Sequence, residues 1–162
     1  MKEYATGNLR NVILLGHGSA GKTSLTEALL HSCGATTRLG RVEDGTSVAD
    51  FEEDERARRI SINTALVSCE YDNIKINLLD TPGFTDFVGE VNSAMRVADG
   101  AIILVDAVSG VEVGTQLVWD FCDEHKLPRF VVINKMDRDN ANYERTLASV
   151  QQLVGDKKLI PA

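Results

Sequence analysis

Residues 11–30 read "NVILLGHGSAGKTSLTEALL", an apolar run, a glycine-rich run and an amphipathic run in immediate succession. "NVILL" (11–15) has no polar alternation, as expected of a strand buried on both faces. "SLTEALLHSC" (24–33) spaces Leu25, Ala28, Leu29 and Leu30 as a helix does. Between them, "GHGSAGKT" (16–23) fits G-x-x-x-x-G-K-[ST]. Gly16, Gly18 and Gly21 let the backbone curl so that successive N–H groups face a polyphosphate. Lys22 brings a positive charge to the outer phosphates, and Thr23 offers a hydroxyl to Mg²⁺. A chance match is on the order of one in two hundred for a chain this size. The whole stretch Gly16, His17, Gly18, Ser19, Ala20, Gly21, Lys22, Thr23 and Ser24 is assigned to nucleotide binding.

Outward from this stretch, residues 34–60 are polar, charged and irregular, a length that inside a compact domain marks a functional or mobile segment. "ISINTALVSCE" (60–70) and "IKINLLD" (74–80) read as two strands around the turn "YDN". A helix with Phe87, Val91, Ala94 and Ala98 on one face follows. "AIILVD" (101–106) is a further strand, Val113, Leu117, Val118 and Phe121 suit a helix, and "RFVVI" (129–133) a strand. Tyr143, Leu147, Val150 and Val154 then mark the last helix. Short apolar strands alternating with amphipathic helices predict an α/β fold. Its sheet is mainly parallel, with one antiparallel strand and helices on both faces. Such sheets bind ligands beyond the carboxyl ends of their strands, where every motif below falls.

"DTPG" (80–83) begins where "INLLD" ends. Asp80 is expected to hold Mg²⁺ through a water, and the N–H of Gly83 to meet the γ-phosphate, with Thr81 and Pro82 completing the loop. "NKMD" (134–137) follows the strand "RFVVI". The two acceptor oxygens of Asp137 suit the N1–H and 2-amino donors of guanine, a pair that adenine lacks. Asn134 is expected to tie this loop to the phosphate loop and the Lys135 stem to pack along the base, beside Met136. The order and spacing of the three motifs favour GTP over ATP.

One hydroxyl should reach Mg²⁺ and the γ-phosphate from the long polar segment in the GTP state alone. Ser61 in "RRISIN" is assigned to it, with Thr64 in reserve. The neighbouring "EEDERARR" reads first as a solvated charged face, ahead of a partner-facing role for Arg56, Arg58 and Arg59.

The rest of the composition sets outer bounds. The chain has 162 residues and a net charge of −7, enough for one domain with a sizeable core and against coating nucleic acid by charge alone. Cysteines 33, 69 and 122 are odd in number and without a C-x-x-C pair, which reads as reduced thiols of a cytoplasmic protein. "MKEYATGNLRN" lacks the apolar stretch of a signal peptide, and no apolar run of 18 or more residues could span a membrane. Neither a membrane nor DNA is expected as a partner.

Together, "NVILLGHGSAGKTSLTEALL", "INLLDTPGFTDFVGEV", "AMRVADGA" and "VVINKMDRDNANYERTL" resemble the translational GTPases, most closely the G domain of the elongation factor G group, nearly end to end. That resemblance implies a P-loop GTPase fold, GTP/GDP and Mg²⁺ as ligands, hydrolysis of GTP to GDP and phosphate, and a switch role on the ribosome through its large-subunit RNA and proteins. The full-length protein would make that contact. Catalytic weight falls on Lys22, Gly83 and position 84. Three departures crowd around the γ-phosphate. Phe84 stands where the family has its water-orienting histidine, and Ser19 where it has the aspartate of "GHIDAGKT". "ARRISIN" replaces "ERGITIT", so Arg59 stands in for glycine and Ser61 for threonine. Binding is expected to be kept, and turnover to be slow or completed by the partner.

Only 25 residues follow Asp137, counted as 162 − 137. Residues 1–162 are therefore expected to be a single GTP-binding domain that stops before its last strand, helix and guanine-capping loop. Two other readings share these motifs: a GTP sensor that binds a partner without hydrolysis, and a ribosomal protection protein of the tetracycline-resistance kind.

Overall fold

The computed structural model describes residues 2–156 and 159–160. Its core is a five-stranded sheet of β1 (Leu9–Gly16), β2 (Ala65–Tyr71), β3 (Ile74–Asp80), β4 (Gly100–Asp106) and β5 (Arg129–Asn134), in the order β2-β3-β1-β4-β5. β1 pairs in parallel with β3 and β4, and β4 with β5; β2 alone runs antiparallel, against β3. The hairpin turns on Asp72 and Asn73, both at positive φ, the conformation a two-residue loop needs to match strand twist. A mainly parallel sheet with one antiparallel strand is the expected architecture.

β1 is the central strand, and Ile13, Leu14 and Leu15 are fully buried. Successive side chains point to opposite faces. Leu14 packs with Leu78, Leu104 and Leu30 under α1 (Lys22–Ser32). Ile13 and Leu15 pack with Ile103 and Val105 under α3 (Val88–Met95), α4 (Val113–Glu124) and α5 (Tyr143–Val154). β5 ends the sheet among the described residues, and Phe130 on it is 72% exposed. No helix among the described residues is long and apolar enough to cross a membrane.

Several local expectations need correction. α1 begins at Lys22 rather than Ser24. The polar segment contains a short helix, α2 (Glu53–Arg58), stabilised by a reciprocal cap between Glu52 and Glu55. β2 starts at Ala65, not Ile60, because the Ile62 and Asn63 N–H groups donate to the buried Glu55 carboxylate at 2.9 and 3.0 Å instead of to a ladder. In α4 Val113 is exposed while Gly114 and Thr115 are buried, and in α5 Tyr143 is exposed while Thr146 faces the core.

The parallel register brings the ends of four strands to one rim. Leu14 lies opposite Asp80, Gly16 opposite Leu104, and Asp106 opposite Asn134. The phosphate loop, "DTPG" and "NKMD" leave the sheet at that rim.

Candidate nucleotide site

A cleft of about 450 Å³ opens there, lined from several separate stretches of chain. Gly18, Ser19, Gly21, Lys22, Thr23 and Ser24 come from the phosphate loop and the start of α1. Thr81, Gly83 and Phe84 come from the loop after β3, and Asn134, Lys135 and Asp137 from the loop after β5. Ser61 enters from the polar segment.

Two opposed charges are buried beside the cleft. Lys22 is 6% exposed and its ammonium donates to the Gly16 and His17 carbonyls, both at 3.1 Å. Burial lowers its pKa to about 8, with the Asp80 carboxylate opposing that shift. Asp80 is 1% exposed, and neither of its oxygens has a hydrogen-bond partner. Burial pushes it up to about 7, while the Thr23 hydroxyl and Lys22 pull the other way. A buried carboxylate without partners is costly, and a cation with its water shell is the ligand that would satisfy it.

Oxygen donors stand beside it. Thr23 Oγ1 and Ser61 Oγ are 3.1 Å apart, and the Ser61 hydroxyl donates to Asp50 Oδ1 at 2.7 Å. Hydroxyl and carboxylate oxygens with room for water and phosphate suit Mg²⁺, and the expected set Thr23, Ser61 and Asp80 fits it. Asp50, which no spacing in the sequence marks, is buried at 3% exposure and fixes the Ser61 rotor. Thr64, the reserve, turns away: its N–H and hydroxyl both go to Glu90.

The remaining motif residues divide by role. The Asn134 amide donates to the Ala20 carbonyl at 2.9 Å, the expected tie between guanine loop and phosphate loop. Lys135 lines the cleft while its ammonium pairs with Asp106 at 2.8 Å. Although burial raises the Asp106 carboxyl, Lys135 and the Val108 N–H hold it below the ordinary range. Thr81 spends its hydroxyl on the Leu14 carbonyl at 2.6 Å and so fastens β3 to β1. Gly16, Ala20, Asp80, Pro82, Met136 and His17 do not line the cleft. His17 points instead to α4, with Nε2 3.6 Å from Glu112 and Nδ1 packed on Gly114, which is why a larger residue at 114 has no room.

Phe84 lies over the phosphate loop: a methyl group on Gly18 would come within 3.0 Å of its ring. The ring also borders an apolar groove with Pro82, Val88, Leu117 and Phe121. Gly83 is confined more tightly, since a Cβ there would collide with the Lys22 ammonium and sit 2.8 Å from the Gly18 nitrogen. Two of the three departures occupy left-handed backbone, Ser19 at φ 64° and Arg59 at φ 57°. Arg59 closes α2, a position that favours glycine. Val42, Glu43, Arg59 and Arg138 also line the cleft, and sequence reasoning did not assign them to it.

Comparison with known proteins agrees with this geometry. The family described as "Elongation factor Tu GTP binding domain" matches residues 7–161. The chain belongs to that family. As an elongation factor Tu-type GTP-binding domain, it is 44% identical over 153 residues to the elongation factor G-like protein of Mycobacterium tuberculosis, covering 94% of this chain and 21% of that protein. It is 46% identical over 152 residues to elongation factor G 2 of Streptomyces coelicolor, covering 94% and 22%. A crystal structure of a protein from Thermus thermophilus superposes with a TM-score of 0.86 at 40% identity, covering 90% of this chain and 22% of the other. The domain is thus a translational GTPase G domain related to elongation factor G, and it spans about a fifth of the length of the curated relatives it matches.

Proposed function

We propose that this domain binds GTP with Mg²⁺ and hydrolyses it slowly, or only when a ribosome completes the site, as the switch of a cytoplasmic translation factor. The observation that carries the proposal is the convergence of Lys22, the partnerless Asp80 carboxylate and the Asp137 loop at one rim of the sheet. The phosphates would take the place of the two carbonyls that now hold Lys22, and the Gly83 N–H would meet the terminal phosphate. Thr23, Ser61 and, through water, Asp80 would hold Mg²⁺, whose charge offsets that of the phosphates and of the leaving oxygen. Asp137 would read guanine, kept in register by the Asn134–Ala20 bond.

The switch follows from how Ser61 is tethered. Its hydroxyl joins Thr23 on α1 to Asp50 in the polar segment, so losing the γ-phosphate withdraws one of the contacts that order residues 34–64. Phosphoryl transfer rests on positioning and charge, which Lys22 and the backbone N–H groups supply. Phe84 supplies no hydrogen bond to a water.

That ring also gives weight to the second reading, a sensor that binds a partner without turnover. Incubating the protein that carries this domain with ribosomes and GTP separates the two. Stimulated phosphate release supports the enzyme, and GTP-dependent ribosome binding without release supports the sensor. We further propose that the open β5 edge, with Phe130 exposed beside it, receives the last strand and helix of the G domain; the guanine-capping loop would come with them.

A further inference from the structure

On the far side of α1 lies a second cavity, of about 420 Å³, that shares no lining residue with the nucleotide cleft. Cys33, which caps the end of α1, and Cys69, in the middle of β2, both face it. The two belong to one packed cluster, and Cys33 is close enough to help raise the Cys69 thiol. Cys33 is half-buried and reachable; Cys69 is 5% exposed. Lys2, Glu70 and Lys75 line the same cavity, the Lys2 ammonium pairing with the Glu70 carboxylate at 2.6 Å. Cys122, on the buried face of α4, lies in the cluster on the opposite face of the sheet and takes no part.

We propose that Cys33 and Cys69 form a dithiol site that a peroxide oxidises reversibly to a disulfide. Cys33 is the attacking sulfur because it is the more exposed of the two. Burial and the neighbouring Cys33 push the Cys69 thiol up to about 11, so it remains protonated until its partner is oxidised. The Cys33 thiolate attacks one oxygen of hydrogen peroxide; an S–O bond forms, the O–O bond breaks, and the departing hydroxide takes a proton to become water. Cys33 is then a sulfenic acid, its sulfur having given up two electrons. Cys69 loses its proton and attacks the Cys33 sulfur; the S–S bond forms, the S–O bond breaks, and a second water leaves. In sum, two thiols and one peroxide give one disulfide and two waters.

The link would join the end of α1 to β2 and enclose residues 34–68, the segment that carries Asp50, Glu55 and Ser61, without touching the cleft.

The test is peroxide treatment of the folded 162-residue chain, quenching with N-ethylmaleimide, and non-reducing peptide mapping by mass spectrometry. The expected product is a Cys33–Cys69 cross-linked peptide, lighter by two hydrogens and lost on adding dithiothreitol, with Cys122 alkylated only after unfolding. Cys33→Ser should abolish the cross-link and leave Cys69 alkylatable after unfolding. Sulfinic acid at Cys33 with Cys69 still a thiol, a Cys33–Cys33 dimer, or three unchanged thiols at a peroxide dose that oxidises free cysteine would each overturn the assignment.

Discussion

Replacing Phe84 with histidine separates what the ring does for packing from what it withholds from chemistry. Phe84 is 38% exposed, with the rest of the ring against Gly18 and the groove of Pro82, Val88, Leu117 and Phe121. Burying a whole phenyl ring is worth about 1.5–3 kcal/mol, so the buried part holds roughly 1–2 kcal/mol. An imidazole keeps much of that contact and turns its nitrogens to the open side. The expected loss is then ~1 kcal/mol or less, which lowers Tm by about 2–4 °C for a domain of this size. Turnover should move the other way. A side chain placed to hold water or a proton contributes about 10²–10⁴-fold, or ~3–5 kcal/mol of barrier. The assay is ribosome-stimulated phosphate release by the protein carrying this domain, read beside a thermal melt. A lower Tm with faster release at unchanged GTP affinity is the predicted pattern. A lower Tm with no gain in release would refute it, and Phe84 would then be a packing residue near a reaction directed by another group.

Ser61→Ala removes the bridge between Thr23 and Asp50 and leaves a buried carboxylate oxygen without its donor. We expect a loss of about 1–3 kcal/mol in urea unfolding and a smaller preference for GTP over GDP; Ser61→Thr should preserve both. Gly83→Ala drives a methyl group into Lys22 and the phosphate-loop backbone. A cost of ~1–3 kcal/mol and loss of GTP binding in calorimetry are expected, and an unchanged melt with retained affinity would contradict the close approach. Asp80→Asn should alter the pH dependence of stability in nucleotide- and magnesium-free buffer. The folded-state pKa of Asp80, about 7, lies above its ordinary 3.8, so between those values the unfolded chain binds fewer protons at this site and stability falls as pH rises. Relative to the asparagine variant, the wild type should lose up to ~1.4 kcal/mol per pH unit between about pH 5 and 7, and parallel curves would deny the burial effect.

What could be read from sequence was what repeats a fixed chemistry at a fixed place. Lys22, Asp80 and Asp137 could be placed at one rim from sequence because strand ends in a parallel sheet collect there, so motifs after successive strands had to meet. The polar segment was less legible because its order comes from buried carboxylates, not from an apolar pattern. Glu55 reaches forward to Ile62 and Asn63, while Glu27 on α1 accepts from Ser47, Val48 and Ala49. The Glu52–Glu55 spacing of a capping box was the one signal that could have revealed α2. For Val42, Glu43 and Asp50 there was none, since their approach to the cleft depends on that loop's path. The departures at Ser19 and Arg59 gain a physical meaning from the backbone. Both are left-handed positions, where aspartate and glycine respectively sit more easily than the residues present.

The most direct measurement is a calorimetric titration of the chain with GTP and with ATP, each with Mg²⁺, for wild type and Asp137→Asn. Asp137 is exposed, so its two charge-assisted hydrogen bonds should be worth ~1.5–3 kcal/mol in discrimination, about 10- to 100-fold in affinity. We predict that margin for GTP in the wild type, even where the absolute affinity is weak, and its collapse in the variant. Equal affinities for the two nucleotides, or a preference untouched by Asp137→Asn, would contradict a guanine site at this rim.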